Sequence, residues 1–83
     1  MPECMELNAA IAAVRKCLKE IIGSAGETLV LSTAIGDALP GGDDTGLRRL
    51  LSCIKNATGF DLDSGNFAGK TFQDIVNKLA CLG

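Results

Sequence analysis

Residues 7–22 read Leu-Asn-Ala-Ala-Ile-Ala-Ala-Val-Arg-Lys-Cys-Leu-Lys-Glu-Ile-Ile, and this stretch decides the fold class. Its large apolar residues are Leu7, Ile11, Val14, Leu18 and Ile21, with Ile22 alongside. Steps of four and three put them on one face of a helix. Arg15, Lys16, Lys19 and Glu20 lie off that stripe, and Asn8 to Ala13 is rich in strong helix formers. Gly23 follows the last apolar position, where a C-terminal cap often needs a left-handed residue. A helix with one apolar face must bury it against other elements, and the rest of the chain supplies them.

Two further stripes repeat the period. Leu47, Leu50, Leu51 and Ile54 form one, with Arg48, Arg49 and Lys55 facing elsewhere and Gly59 ending the helix. Asp43, Asp44 or Thr45 would cap its start, where acids suit the positive end of the helix dipole. Phe72, Ile75, Val76 and Leu79 form the last stripe, with Thr71 as cap and Asp74 three positions on, an acidic relative of the capping box. Residues 23–42 hold five glycines and Pro40, with apolar anchors at Leu29, Val30, Leu31, Ile35 and Leu39. A connection that long inside a small domain is functional or internally packed, and the spaced aliphatics predict a loop packed over the helices. Leu29 to Leu31 would also suit a short strand, but no partner strand is evident. Residues 60–67 read as a turn-rich connector with one short helical turn near Asn66 to Gly69. The expectation is a single all-α domain over residues 1–83, a three- to four-helix bundle with a long first loop.

Composition narrows the function. The chain has 83 residues, and a domain near this size buries only about 60% of the surface its unfolded form exposes, so the core is thin. Phe60, Phe67 and Phe72 are the only aromatics, and the chain has no His. The usual general base at neutral pH and the commonest metal ligand are therefore missing. No enzymatic activity and no metal are expected. Net charge is −2 and the eight basic residues form no stripe, which argues against a nucleic-acid surface. No apolar run approaches the ~20 residues of a membrane span. Cys4, Cys17, Cys53 and Cys81 form no C-x-x-C pair. The first residues carry acids where a signal peptide would carry lysines. These features predict a cytoplasmic monomer with four free thiols, Cys17 and Cys53 serving as small core residues. An oxidising compartment would instead turn an even cysteine count into disulfides.

The order and spacing of these segments resemble the acyl carrier protein family, over roughly Leu7 to Leu79. Thr33-Ala-Ile-Gly-Asp-Ala-Leu-Pro-Gly-Gly-Asp-Asp-Thr45 resembles the end of that family's long loop, which runs into Gly-x-Asp-Ser-Leu. Leu50, Leu51 and Ile54 resemble the apolar face of its second helix. Gly59-Phe-Asp-Leu62 resembles the exit from that helix, and Lys70-Thr-Phe-Gln-Asp-Ile-Val76 the threonine-led start of its last one. The resemblance implies a serine carrying a phosphopantetheine arm at the start of the second helix, and partners among acyl-processing and carrier-modifying enzymes. Counting back from Gly59 and Leu62 without gaps puts Asp43 on the family's aspartate and Asp44 on its serine; a shifted register puts Thr45 or Gly46 there. No register supplies a serine, so Asp44 and Thr45 mark the attachment position and Thr45 offers the one nearby hydroxyl. Arg48 and Arg49 also depart from the family's acidic second helix.

The implied function is a carrier-like domain that presents an arm or docks on acyl-processing enzymes through Asp43, Leu47, Arg48 and Arg49. The alternatives are a small helical interaction module with no carrier role and a disulfide-stapled helical lipid binder. Each special residue has a plainer reading: Asp43 and Asp44 as caps, Arg48 and Arg49 as a solvated face. Gly41 and Gly42 before a helix could cradle a phosphate, but no Lys-Ser/Thr follows and two acids would repel the anion.

The stripe makes a direct prediction. Leu18→Ala should cost about 2–5 kcal/mol, as buried Leu→Ala changes do, while Lys19→Ala, one position round the helix, should hardly move the unfolding midpoint. Equal effects in a urea titration would show the wrong face had been assigned.

Overall fold

The computed structural model describes residues 3–82. Its helices are α1 (Leu7–Ile22), α2 (Ala25–Thr28), α3 (Ile35–Ala38), α4 (Thr45–Thr58) and α5 (Phe72–Leu79), with a 3-10 turn at Ser64–Asn66 before α5. No strand is present among the described residues. The all-α expectation holds, and α1 is the hub, packing against α2, α4 and α5.

The three predicted stripes meet in one core. Ala10, Val14, Cys17 and Leu18 come from α1, Leu47, Leu50, Leu51 and Ile54 from α4, and Phe72, Ile75, Val76 and Leu79 from α5. Leu7 lies at the rim, 40% exposed. The predicted caps at the later helices are also present. Gly59 closes α4 at φ 84°, ψ −2°, donating its N–H to the Lys55 carbonyl. The Thr71 hydroxyl accepts the Asp74 N–H while the Asp74 carboxylate accepts the Thr71 N–H, a complete capping box. At α4 the expected side-chain cap is missing: Asp44 stands in the cap position but bonds no backbone N–H.

The long loop is internally structured. It folds into the single turns α2 and α3, buries Ile35 and Leu39, and half-buries Leu29 and Leu31. Val30 points out, 61% exposed, so it is no anchor. The strand considered at Leu29–Leu31 does not form; the isolated antiparallel bridge is at Ala34 and Thr71. Around it the Ile35 N–H donates to the Lys70 carbonyl, Phe72 N–H to Thr33, and Gln73 N–H to Leu31. These bonds lace the loop to the start of α5. Gly26 lets α2 sit directly on α1, since a Cβ there would lie 2.7 Å from the Leu18 carbonyl carbon.

Arg15, which lies off the apolar stripe, is half-buried and holds this loop. One of its terminal nitrogens donates to the carbonyls of Leu29 at 2.8 Å and Glu27 at 3.2 Å, and the guanidinium lies 5.2 Å from the Phe72 ring centroid. A cation over a ring face and at a helix C-terminus is attracted by both.

The free-thiol expectation is overturned. Cys17 is bonded to Cys53, joining α1 to α4, and Cys4 to Cys81, joining the segment before α1 to the end of α5. The Met5 N–H donates to the Leu79 carbonyl beside the second bridge. Cys17 does fill the core, at 1% exposure, but as half of a bridge. The cytoplasmic expectation rested on the acidic first residues and implied free thiols, so the two bridges count against it. What stands is that no helix is long and apolar enough to cross a membrane.

Two outcomes test these ties. Arg15→Ala should lower unfolding stability by about 1.5–3 kcal/mol, the range for hydrogen bonds to charged groups, and amide exchange should speed most at residues 25–33. Asp74 is held below its ordinary carboxylate value, first by the Thr71 N–H and then by the Thr71 hydroxyl. Its contribution to stability is therefore complete above the unfolded value near ~3.9 and is lost as pH falls through the lower folded value. Asp74→Asn should show a shallower loss of stability below about pH 4 than wild type.

Candidate functional site

The start of α4 is where the sequence placed its site, and each residue there takes a distinct position. Asp43 is exposed, its carboxylate resting against Gly36, where a Cβ would collide with it. Asp44 is exposed and pairs with Arg48 one turn along, Oδ1 to Nε at 3.3 Å. Both side chains stay at least 70% exposed, so this pair adds little to stability. Thr45 is exposed at the first position of α4, with its hydroxyl oxygen over Gly41. The close approach and the φ of 87° both require glycine at 41.

The next positions point inward. Gly46 is buried, and a Cβ there would collide with the Pro40 carbonyl. A side chain at 46 therefore has no room, which removes the register that would put the attachment residue there. Leu47 is fully buried in the core. Its assignment to a docking surface is corrected: the position three before Leu50 faces the bundle, not a partner. Arg48 and Arg49 are exposed and remain in the candidate surface.

Arg48 also borders a groove that the sequence did not reveal. It is an open concavity of about 490 Å³ between α4 and the connector to the 3-10 turn, lined by Arg48, Leu51, Ser52, Lys55, Leu62 and Ser64 with Asp61 and Asp63. Asp61 pairs with Lys55 across its mouth at 3.5 Å. The exposed Asp63 caps the 3-10 turn, its carboxylate accepting the Gly65 N–H at 3.0 Å. A second shallow concavity continues past Asp61, Leu62 and Asp63 to Asn66, Phe67 and Lys78. The groove thus has an apolar floor at Leu51 and Leu62 beneath a rim of both charges. Its acids come from a connector with no period, so nothing in the sequence pattern joins them to α4.

The described surface brings together no nucleophile, base and oxyanion donor. The start of α4 and the groove beside it carry Arg48, Arg49 and Lys55, the acids Asp43, Asp44, Asp61 and Asp63, and the hydroxyls of Thr45, Ser52 and Ser64. No family model, curated protein or solved structure matches the chain at significant similarity.

The burial difference along α4 predicts a sharp contrast. Leu47→Ala should destabilise the protein by about 2–5 kcal/mol, whereas Arg49→Ala, two positions on and exposed, should stay within about 0.5 kcal/mol of wild type. Comparable losses in chemical denaturation would contradict the orientation of α4.

Proposed function

We propose that this chain is an acyl-carrier-like docking domain that carries no phosphopantetheine arm. The reading is carried by one observation: Asp44 and Thr45 are exposed on the first turn of α4, immediately after a loop packed against the bundle. A carrier must offer its attachment residue there, outside the core and within a modifying enzyme's reach. The element order agrees with the resemblance, and so do the Gly59 cap and the Thr71 capping box.

The chemistry at that point is not a carrier's. A carboxylate at 44 has no hydroxyl to accept a phosphopantetheinyl group, and the exposed Thr45 oxygen is a secondary alcohol, more hindered than a serine's. Docking remains. The exposed start of α4 offers Asp43, the Asp44–Arg48 pair and Arg49, which is unpaired among the described residues, and Arg49 fits an acidic group on an acyl-processing partner.

A second reading has its own support. Two disulfides in so short a chain are typical of proteins from oxidising compartments. That favours a stapled helical binder acting outside the cytosol, with the Leu51 and Leu62 floor taking an apolar ligand such as a lipid chain.

Intact mass separates the readings. Incubated with coenzyme A and a broad-specificity phosphopantetheinyl transferase, the wild type should gain no mass, while Asp44→Ser should be modified at least in part at residue 44. Arm addition to wild type, mapped to Thr45, would refute the armless form of the proposal. If Asp44→Ser stays unmodified as a folded protein, the carrier-like reading fails and the stapled-binder reading takes its place.

A further inference from the structure

The Cys17–Cys53 bridge has a carboxylate beside it. Cys17 and Glu20 are three residues apart on α1, so one turn of helix presents both toward Cys53 of α4. Glu20 Oε2 lies 3.1 Å from Cys53 Sγ. A bridged sulfur has no proton to donate, so this close contact is not a hydrogen bond. Glu20 forms no ion pair among the described residues. Donor atoms of Cys17, Glu20 and Cys53 all lie within 4.8 Å of one another.

We propose that reduction turns this staple into a metal site, in which Cys17 and Cys53 thiolates and the Glu20 carboxylate bind a borderline-soft divalent cation such as Zn²⁺. A dithiol reductant supplies the two electrons and two protons. The Cys17–Cys53 sulfur–sulfur bond breaks, two thiols form, and the reductant leaves as its own disulfide. Metal binding then releases both thiol protons to solvent. Two thiolates and one carboxylate match the ligand set zinc takes, with water in the fourth tetrahedral position. Tetrahedral zinc at ~2.3 Å from sulfur and ~2.1 Å from oxygen needs the sulfurs about 3.8 Å apart and sulfur to oxygen about 3.6 Å. The Cα atoms of Cys17 and Cys53, 5.8 Å apart, allow that opening by side-chain rotation alone. Burial is graded in the right sense: Cys17 is buried, Cys53 half-buried and Glu20 exposed, so the cation enters from the Glu20 side. The same α1–α4 tie would then persist in either redox state, as a covalent bridge when oxidised and as a metal bridge when reduced.

The experiment uses the full chain with Cys4→Ser and Cys81→Ser, which removes the other two thiols. After reduction, removal of the reductant and anaerobic titration with Co²⁺, thiolate-to-metal absorption and tetrahedral ligand-field bands should appear, and Zn²⁺ should displace them. The oxidised form should show neither. Adding Cys53→Ser should abolish the thiolate bands seen in the parent. Glu20→Gln should weaken binding by roughly tenfold or more, since changes just outside a metal's ligands already cost about 10–100-fold. A reduced protein that loses its far-ultraviolet helix signal must regain it as metal is added. Absence of the bands, bands unchanged by Cys53→Ser, equal affinity in Glu20→Gln, or metal binding without recovered helix would each overturn the site.

Discussion

The guanidinium of Arg15 is the constraint on which the upper half of the bundle depends. From the middle of α1 it reaches the last carbonyls of α2 and the face of Phe72 on α5 at once. A segment holding five glycines has much backbone entropy to lose on folding. The carbonyls of Glu27 and Leu29 have no strand or long helix to receive them, and the part-buried Leu29 carbonyl would be costly to leave without a partner. One charged donor satisfies them and fixes α2 over α1. From there the chain reaches Thr33 and Ala34, pairs with Lys70 and Phe72, and is carried through α3 to the start of α4. The position of Asp44 and Thr45 is thus a consequence of a contact made thirty residues earlier.

The two disulfides compensate for a thin core. Cys4–Cys81 closes almost the whole chain, at a sequence separation of 77, and Cys17–Cys53 closes a separation of 36. Restricting loops of that size in the unfolded chain is worth about 3–5 kcal/mol each in the chain-entropy picture, comparable with the whole stability of a small domain. The bridges also divide the labour. One gathers the termini beside the Met5–Leu79 hydrogen bond, and the other locks the two longest helices together under the core. The start of α4 lies inside both closed loops, yet Asp44, Thr45, Arg48 and Arg49 stay exposed on the surface.

The functional proposal and the fold stand at different distances from the residues. Helix positions follow from side-chain periodicity and are fixed by burial. The proposed docking role rests on what is exposed at the start of α4, Asp44, Thr45, Arg48 and Arg49, and on a missing hydroxyl at residue 44. The groove beneath Arg48 adds Leu51 and Leu62 beside a set of charges of both signs.

By itself the sequence determined α1, α4 and α5, their inward faces, the Gly59 and Thr71–Asp74 caps and the want of a serine near 44. All of these are local: they depend on spacings of three and four or on a side chain meeting a backbone group within one turn. The tertiary structure alone decided the rest. A period of 3.6 shows that Arg15 lies off the stripe, but not that the loop folds over it. The four cysteines allow three pairings, and which one forms depends on Cα separations across 36 and 77 residues. Leu47 belonged to the apolar stripe from the start; its depth became visible only once α1 and α3 packed against α4. Glu20 lies near Cys53 because α1 and α4 pack side by side, and helix packing is a property of facing surfaces that no single stretch of chain records.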